Sequence, residues 1–153
     1  MVTAPPDDAP TLSLAFEGGE TVPVALREER APETCAAIRG ALPIEETTYH
    51  SRWSGREVNV GVEVDPTIPP EDRTAHTSVG DVVYWRDWDL PADEAPEAIA
   101  VYYGPETMRG PQGPLSVTPF GHVPPAHWEP LETVGERVWK EGGETLRLEL
   151  DGE

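Results

Sequence analysis

The stretch Tyr49-His50-Ser51-Arg52-Trp53-Ser54-Gly55-Arg56-Glu57-Val58-Asn59-Val60 decides how the chain is read. Ser54-Gly55 is a turn signal between two runs of strand-forming residues. Beyond it Val58, Val60 and Val62 alternate with Asn59, Gly61 and Glu63. A period of two places the three valines on one face, where a core should lie. The sequence therefore predicts a central hairpin with arms at 47–53 and 56–63. The same dozen residues hold two arginines, a histidine, a tryptophan and a carboxylate, so they are also the first place to look for a polar site.

Outward from this hairpin the same logic repeats. Residues 11–16 alternate as a half-buried strand, Glu17-Gly18-Gly19-Glu20 is a turn, and 21–26 is the return strand. Pro23 cannot donate to a ladder, so one position of that strand should lack a partner. Pro32 suits the first position of a helix and Glu33 its positive end. Cys35, Ile38 and Leu42 then share one face, giving an amphipathic helix over 31–42. Residues 65–78 hold three prolines and no periodicity and read as a loop. Strands follow at 81–85 and 98–103 and within 115–123, separated by loops at 86–97 and 104–114. Leu131, Val134 and Val138 have helical spacing over 129–140, and 145–150 alternates cleanly as the last strand. The sum is about eight strands and two short helices, a mainly β chain closed into an eight-stranded barrel and capped by the helices.

A chain of 153 residues with 37% hydrophobic content suits one domain. That domain should run over 11–153. Residues 1–10, acidic and Pro-rich, read as a disordered lead-in that is not a signal peptide. No apolar run approaches the ~20 residues that span a bilayer. Asp and Glu total 29 against 11 Lys and Arg, a net charge of -18, and Lys140 is the one lysine. Acidic excess with lysine depletion fits a halophilic, cytoplasmic protein, whose carboxylates are screened over about 3 Å in molar salt. The same charge argues against nucleic acid and anionic membrane as partners, since both need basic patches. One cysteine, Cys35, leaves no internal disulfide, and its apolar helix position reads as a buried structural thiol.

The order of these elements resembles the cyclophilins. Val24-Ala25-Leu26 followed by Ala31-Pro32-Glu33-Thr34-Cys35 is similar to their opening strand and helix. Tyr49-His50 ahead of Gly55 is similar to their aromatic-His strand and glycine turn, and Phe120-Gly121-His122-Val123 to a late strand. The chain more closely resembles a family of small microbial cyclophilin-like proteins of unknown function, through Ala31-Pro32-Glu33-Thr34-Cys35, Ser51-Arg52-Trp53-Ser54-Gly55, Gly80-Asp81-Val82, Tyr103-Gly104 and Gly113-Pro114. The resemblance implies a closed cyclophilin-like barrel. It also implies that Ser51 stands where cyclophilins place their catalytic arginine, Arg56 and Glu57 where they place two apolar pocket residues, and Asn59 where they place a glutamine. Arg52 is one position away, and in a strand one position is the opposite face. A pocket lined by Arg56 and Glu57 should bind proline poorly, because burying charge is expensive.

The expected function is therefore that of a non-enzymatic or weakly catalytic barrel, its catalytic residues unassigned, that binds a small anionic molecule or a peptide at the central hairpin. Ser51, Arg52, Trp53, Arg56 and Glu57 form the expected site, with Tyr103 and His122 as neighbours. The arginines could fork onto a carboxylate, or pair with the many acids of the chain. Trp53 and Tyr103 could wall a pocket or belong to the core, and His122 could face the barrel mouth as an acid or base. No metal and no cofactor are expected: the four histidines lack ligand spacing, and there is no P-loop, dinucleotide glycine pattern or nucleophile elbow. Two other readings stand: a peptidyl-prolyl isomerase with a rearranged site, and an accessory subunit of an amide- or lactam-hydrolysing assembly, by fold analogy. A homo-oligomer is compatible with all three.

Overall fold

The computed structural model describes residues 5–6, 8–51, 55–110 and 113–151, and for 109–110 and 113–114 the backbone alone. The chain runs β1 (Thr11–Phe16), β2 (Thr21–Leu26), α1 (Pro32–Ala41), β3 (Ile44–Thr47), β4 (Glu57–Gly61), β5 (His76–Thr77), β6 (Asp81–Arg86), β7 (Glu97–Tyr102), β8 (Glu106–Thr107), β9 (Arg109–Gly110), β10 (Gly113–Pro114), β11 (Thr118–His122), α2 (Trp128–Glu141) and β12 (Thr145–Leu150). Eight strands form one antiparallel sheet in the order β3-β12-β1-β2-β11-β6-β7-β4. It curls into a nearly closed barrel. Its two end strands meet at one bridge, where Tyr49 and Asn59 exchange both backbone hydrogen bonds at 2.8 Å.

That seam corrects two expectations. Among the described residues the arms at 47–53 and 56–63 meet only at the Tyr49–Asn59 bridge and form no ladder with each other. β3 ladders with β12, from Thr47 opposite Thr145 to Ile44 opposite Leu148, and β4 ladders with β7. The barrel is accordingly short of full closure. The proposed turn at Ser54, with Arg52 and Trp53, lies outside the described residues; Gly55 beside it has φ +92, a conformation that favours glycine. Residues 65–78 are also more than a loop. Thr74 bridges Val117, and β5 pairs with β8, which ties the Pro-rich segment to the 104–117 strap.

Period-two alternation builds the interior. Leu12, Leu14 and Phe16 of β1, Val22, Val24 and Leu26 of β2, and Val58 and Val60 of β4 are buried in one core with Tyr84, Val101, Phe120 and Leu148. Val62 packs on the same core. Pro23 faces Ser13 of β1, while β11 pairs with β2 only through Ala25 and Leu26, so the missing donor has no ladder to break.

Pro32 opens α1 and Cys35 and Ile38 point into the core. α2 adds Leu131, Val134 and Val138, and each such side chain contributes roughly 1.5–3 kcal/mol through burial. Arg137 on its outer side clamps the helix to Glu20 (2.8 Å) and Glu144 (2.6 Å).

The opposite face of β4, β7 and β6 is covered as well. Val83, Ala100 and Tyr102 pack there against Met108 and Val117 of the strap, and the Tyr102 hydroxyl donates to the Met108 sulfur. Among the described residues no helix is long and apolar enough to cross a membrane.

Candidate functional site

Glu57 lies opposite Tyr102 in the β4–β7 ladder, so it points to this strap-covered outer face. It is 2% exposed. The Ser51 backbone N–H donates to its Oε1 at 2.9 Å, and the Asn59 amide donates to Oε1 at 2.8 Å and Oε2 at 3.1 Å. The same amide donates to the Ser51 hydroxyl at 2.9 Å. Asn59 reaches both because it is two residues from Glu57 on the same strand face. No cation touches the carboxyl among the described residues. Burial therefore dominates and pushes Glu57 up to about 7, against the opposing pull of the Asn59 and Ser51 donors. At neutral pH such a group can take or give a proton, or gain a cation.

Tyr103, just past β7, and His50, next to the Tyr49 bridge, bring a phenol and an imidazole together against α2. The Tyr103 hydroxyl lies 2.6 Å from Nε2 of His50, whose ring is also 6.2 Å from that of Trp139 on α2. Tyr103 fits against α2 because position 135 is glycine; a Cβ there would stand 2.2 Å from the Tyr103 ring. Burial, with Glu136 and Glu57 adding to it, raises the Tyr103 phenol.

Arg56 immediately precedes β4 and leans the other way. Its Nε donates to Glu106 at 2.8 Å and Nη2 to the Pro105 carbonyl at 3.1 Å, while 55% of the side chain remains exposed. An ion pair this exposed contributes at most about 1 kcal/mol, so the guanidinium can still exchange its partner.

His122 sits apart. It stacks edge-on against Trp128, 6.4 Å away, on β11 opposite Asp81. Asp81 is ion-paired at 3.1 Å with buried Arg27 and accepts the Ser78 N–H at 2.8 Å. Burial, then the Arg27 charge, lowers the His122 imidazole. The structure thus brings Ser51 and Glu57 together with Asn59, places Tyr103 against α2 on the face opposite Tyr102 and Glu57, pairs Arg56 with Glu106, and leaves His122 in a separate cluster. Arg52 and Trp53 fall outside the described residues. Among the described residues no group of three His, Cys, Asp or Glu could hold a metal.

Residues 13–150 match the family described as "Protein of unknown function (DUF3830)". The chain belongs to the DUF3830 family. No curated protein matches it. Among solved structures it resembles McbB, in a structure titled "Structure of McbB in complex with tryptophan", at 25% identity and TM-score 0.72, over 93% of this chain and 45% of that one. The DUF3830 barrel therefore spans less than half the length of McbB. It also resembles the hypothetical protein AF2241 from Archaeoglobus fulgidus, at 23% identity and TM-score 0.54, over 93% of this chain and 95% of that one. This second likeness shows the cyclophilin-like fold alone.

Two contacts of Tyr103 and α2 in this DUF3830 chain are not legible locally in the sequence. His50 belongs to the polar central stretch and to the Tyr49-His50 motif, but its place beside Tyr103 depends on a contact 53 residues apart. Trp139 reads as one more residue of an amphipathic helix, and nothing local points to β7.

Proposed function

We propose that this DUF3830 barrel binds a small organic acid that carries an amine, of the amino-acid type, at Glu57. The observation that carries the reading is the buried Glu57 carboxyl, held by neutral donors and pushed up to about 7. A ligand ammonium placed against it would restore its charge and gain a charge-assisted hydrogen bond. A plain anion would meet Glu57 and Glu106 instead, which narrows the expected anionic ligand to one that also brings a cation. Arg56, half-exposed and one residue before β4, supplies a counter-charge for the ligand carboxylate. McbB, solved with the amino acid tryptophan, supports the same ligand class.

The test is a thermal-shift panel in roughly molar potassium chloride, which screens the acidic surface. It compares tryptophan, simple amines, amine-free organic acids and a prolyl peptide on wild type, Glu57→Gln and Arg56→Ala. At about 100 times Kd a ligand adds about 2.7 kcal/mol to stability, roughly 5–10 °C in Tm for a chain of this size. Amine-bearing acids should raise Tm in wild type and fail in Glu57→Gln. An equal shift by amine-free acids in both, or no shift by any compound, overturns the reading.

The isomerase reading weakens on the same observation. Ser51, Glu57 and Asn59, which stand where the cyclophilin resemblance places the catalytic arginine, a pocket residue and the glutamine, share one carboxyl-centred hydrogen-bond cluster. A protease-coupled prolyl assay in strong salt should give the uncatalysed rate.

A further inference from the structure

The barrel seam is a second place where the chain can take a partner, at the far end of β4 from Glu57. From the Tyr49–Asn59 bridge an antiparallel ladder would next pair Thr47 with Gly61 and Glu45 with Glu63. The strands diverge instead, and a cleft of about 730 Å³ opens between residues 43–46 and 61–63, with Glu97 beside it. Two strand edges face each other across it. Thr48 N–H donates to Glu144 on the β12 side and Val62 N–H to Glu97 on the β7 side. Backbone groups alternate along a strand, so those of Glu45 and Thr47, and of Gly61 and Glu63, point into the gap. Among the described residues no backbone hydrogen bond reaches across to them. Unpaired edges of this kind are templates for an added strand.

The lining states the chemistry of the guest. Ile44 and Val62 form an apolar floor, packed on the barrel core. Glu45, Glu46, Glu63 and Glu97 rim it, and no lining residue is basic. Glu45 pairs with Arg147 and Glu97 accepts from Tyr84, but Glu46 and Glu63 have no ion-pair partner among the described residues. A second copy of this chain, at a net charge of -18, would bring like charge to an acidic rim.

We propose that the seam between β3 and β4 binds an extended basic segment of a partner protein as an inserted strand, with apolar residues on Ile44 and Val62 and Lys or Arg on the glutamates.

The probe is a synthetic peptide of about eight residues, one strand in length, alternating lysine and valine. A control replaces its valines with prolines, keeping the charge and removing every second ladder donor. Both are titrated against the full chain in low and molar salt, with amide hydrogen exchange followed residue by residue. The lysine–valine peptide should protect the amides of Glu45, Thr47, Gly61 and Glu63, and the proline peptide should not. Gly61→Pro removes one donor that faces the cleft and none that faces β7, so its Tm should hold. Its affinity for the peptide should fall roughly fivefold to tenfold, the size of one lost backbone hydrogen bond. Glu46→Lys with Glu63→Lys should abolish binding. Equal binding of the proline peptide, or peptide binding without protection at those four amides, would show charge attraction alone and overturn the proposal. Protection that appears without peptide as protein concentration rises would assign the seam to self-pairing and also overturn it.

Discussion

Glu57 and Asn59 stand two residues apart on β4, and the Asn59 amide donates to the Glu57 carboxyl at 2.8 Å. The bond joins a group that burial raises to a donor that lowers it, and burial prevails. The folded-state value, about 7, lies above the 4.5 of an unhindered glutamate. The folded chain therefore binds the extra proton, and its stability falls as pH rises from about 4.5 through about 7. The full effect is on the order of 3 kcal/mol. Denaturation in molar salt at pH 5 and pH 8 should show wild type losing more stability over that interval than Glu57→Gln. Identical losses would place the Glu57 carboxyl in water.

Gly135 is the residue that lets Tyr103 lie against α2. A Cβ there meets the ring at 2.2 Å, so Gly135→Ala must push Tyr103 or the helix away. Overpacking of this kind costs typically 1–3 kcal/mol, despite alanine's better helix propensity. The His50–Tyr103 hydrogen bond should lengthen, visible as a change in the His50 ring signals. A variant more stable than wild type would mean that α2 is free to shift.

Cys35 is buried, with its thiol donating to the Phe120 carbonyl at 3.4 Å. Burial, with Glu28 and Glu71 adding to it, pushes the thiol up to about 12. A thiol that stays protonated is a poor nucleophile. A thiol reagent at pH 8 should react only as fast as the chain opens, and at full rate in denaturant.

Much of the barrel was legible because its period-two strands are local signals. Residues 11–16, 21–26 and 145–150 read off the sequence at their observed bounds, and both helices within about one residue. The misses are long-range. The strand at 44–47 was missed, with only Thr47 falling in an expected arm, because its partner, β12, lies about 100 residues further along. The strand at 76–77 is invisible without 106–107. The site divides the same way. Glu57 was identifiable as an unusual residue in the central stretch, but alternation with Val58 and Val60 assigns it to solvent. It is buried because Met108 and Val117 of a distant strap pack over that outer face. Arg56 was read as a ligand group, and its pairing with Glu106 depends on the same strap.

Charge makes a prediction about conditions. At -18 the compact state repels itself, and added salt screens that repulsion. The Tm should climb from low salt to molar potassium chloride and should do so with sodium chloride alike. A Tm independent of salt would make the acidic surface incidental.

The most direct measurement is a carbon-13 titration of the Glu57 side-chain carboxyl in molar potassium chloride, without and with tryptophan. The midpoint should lie near 7 alone and fall once the ligand ammonium is in place. A midpoint near 4.5 that no amine-bearing acid moves would contradict that expectation.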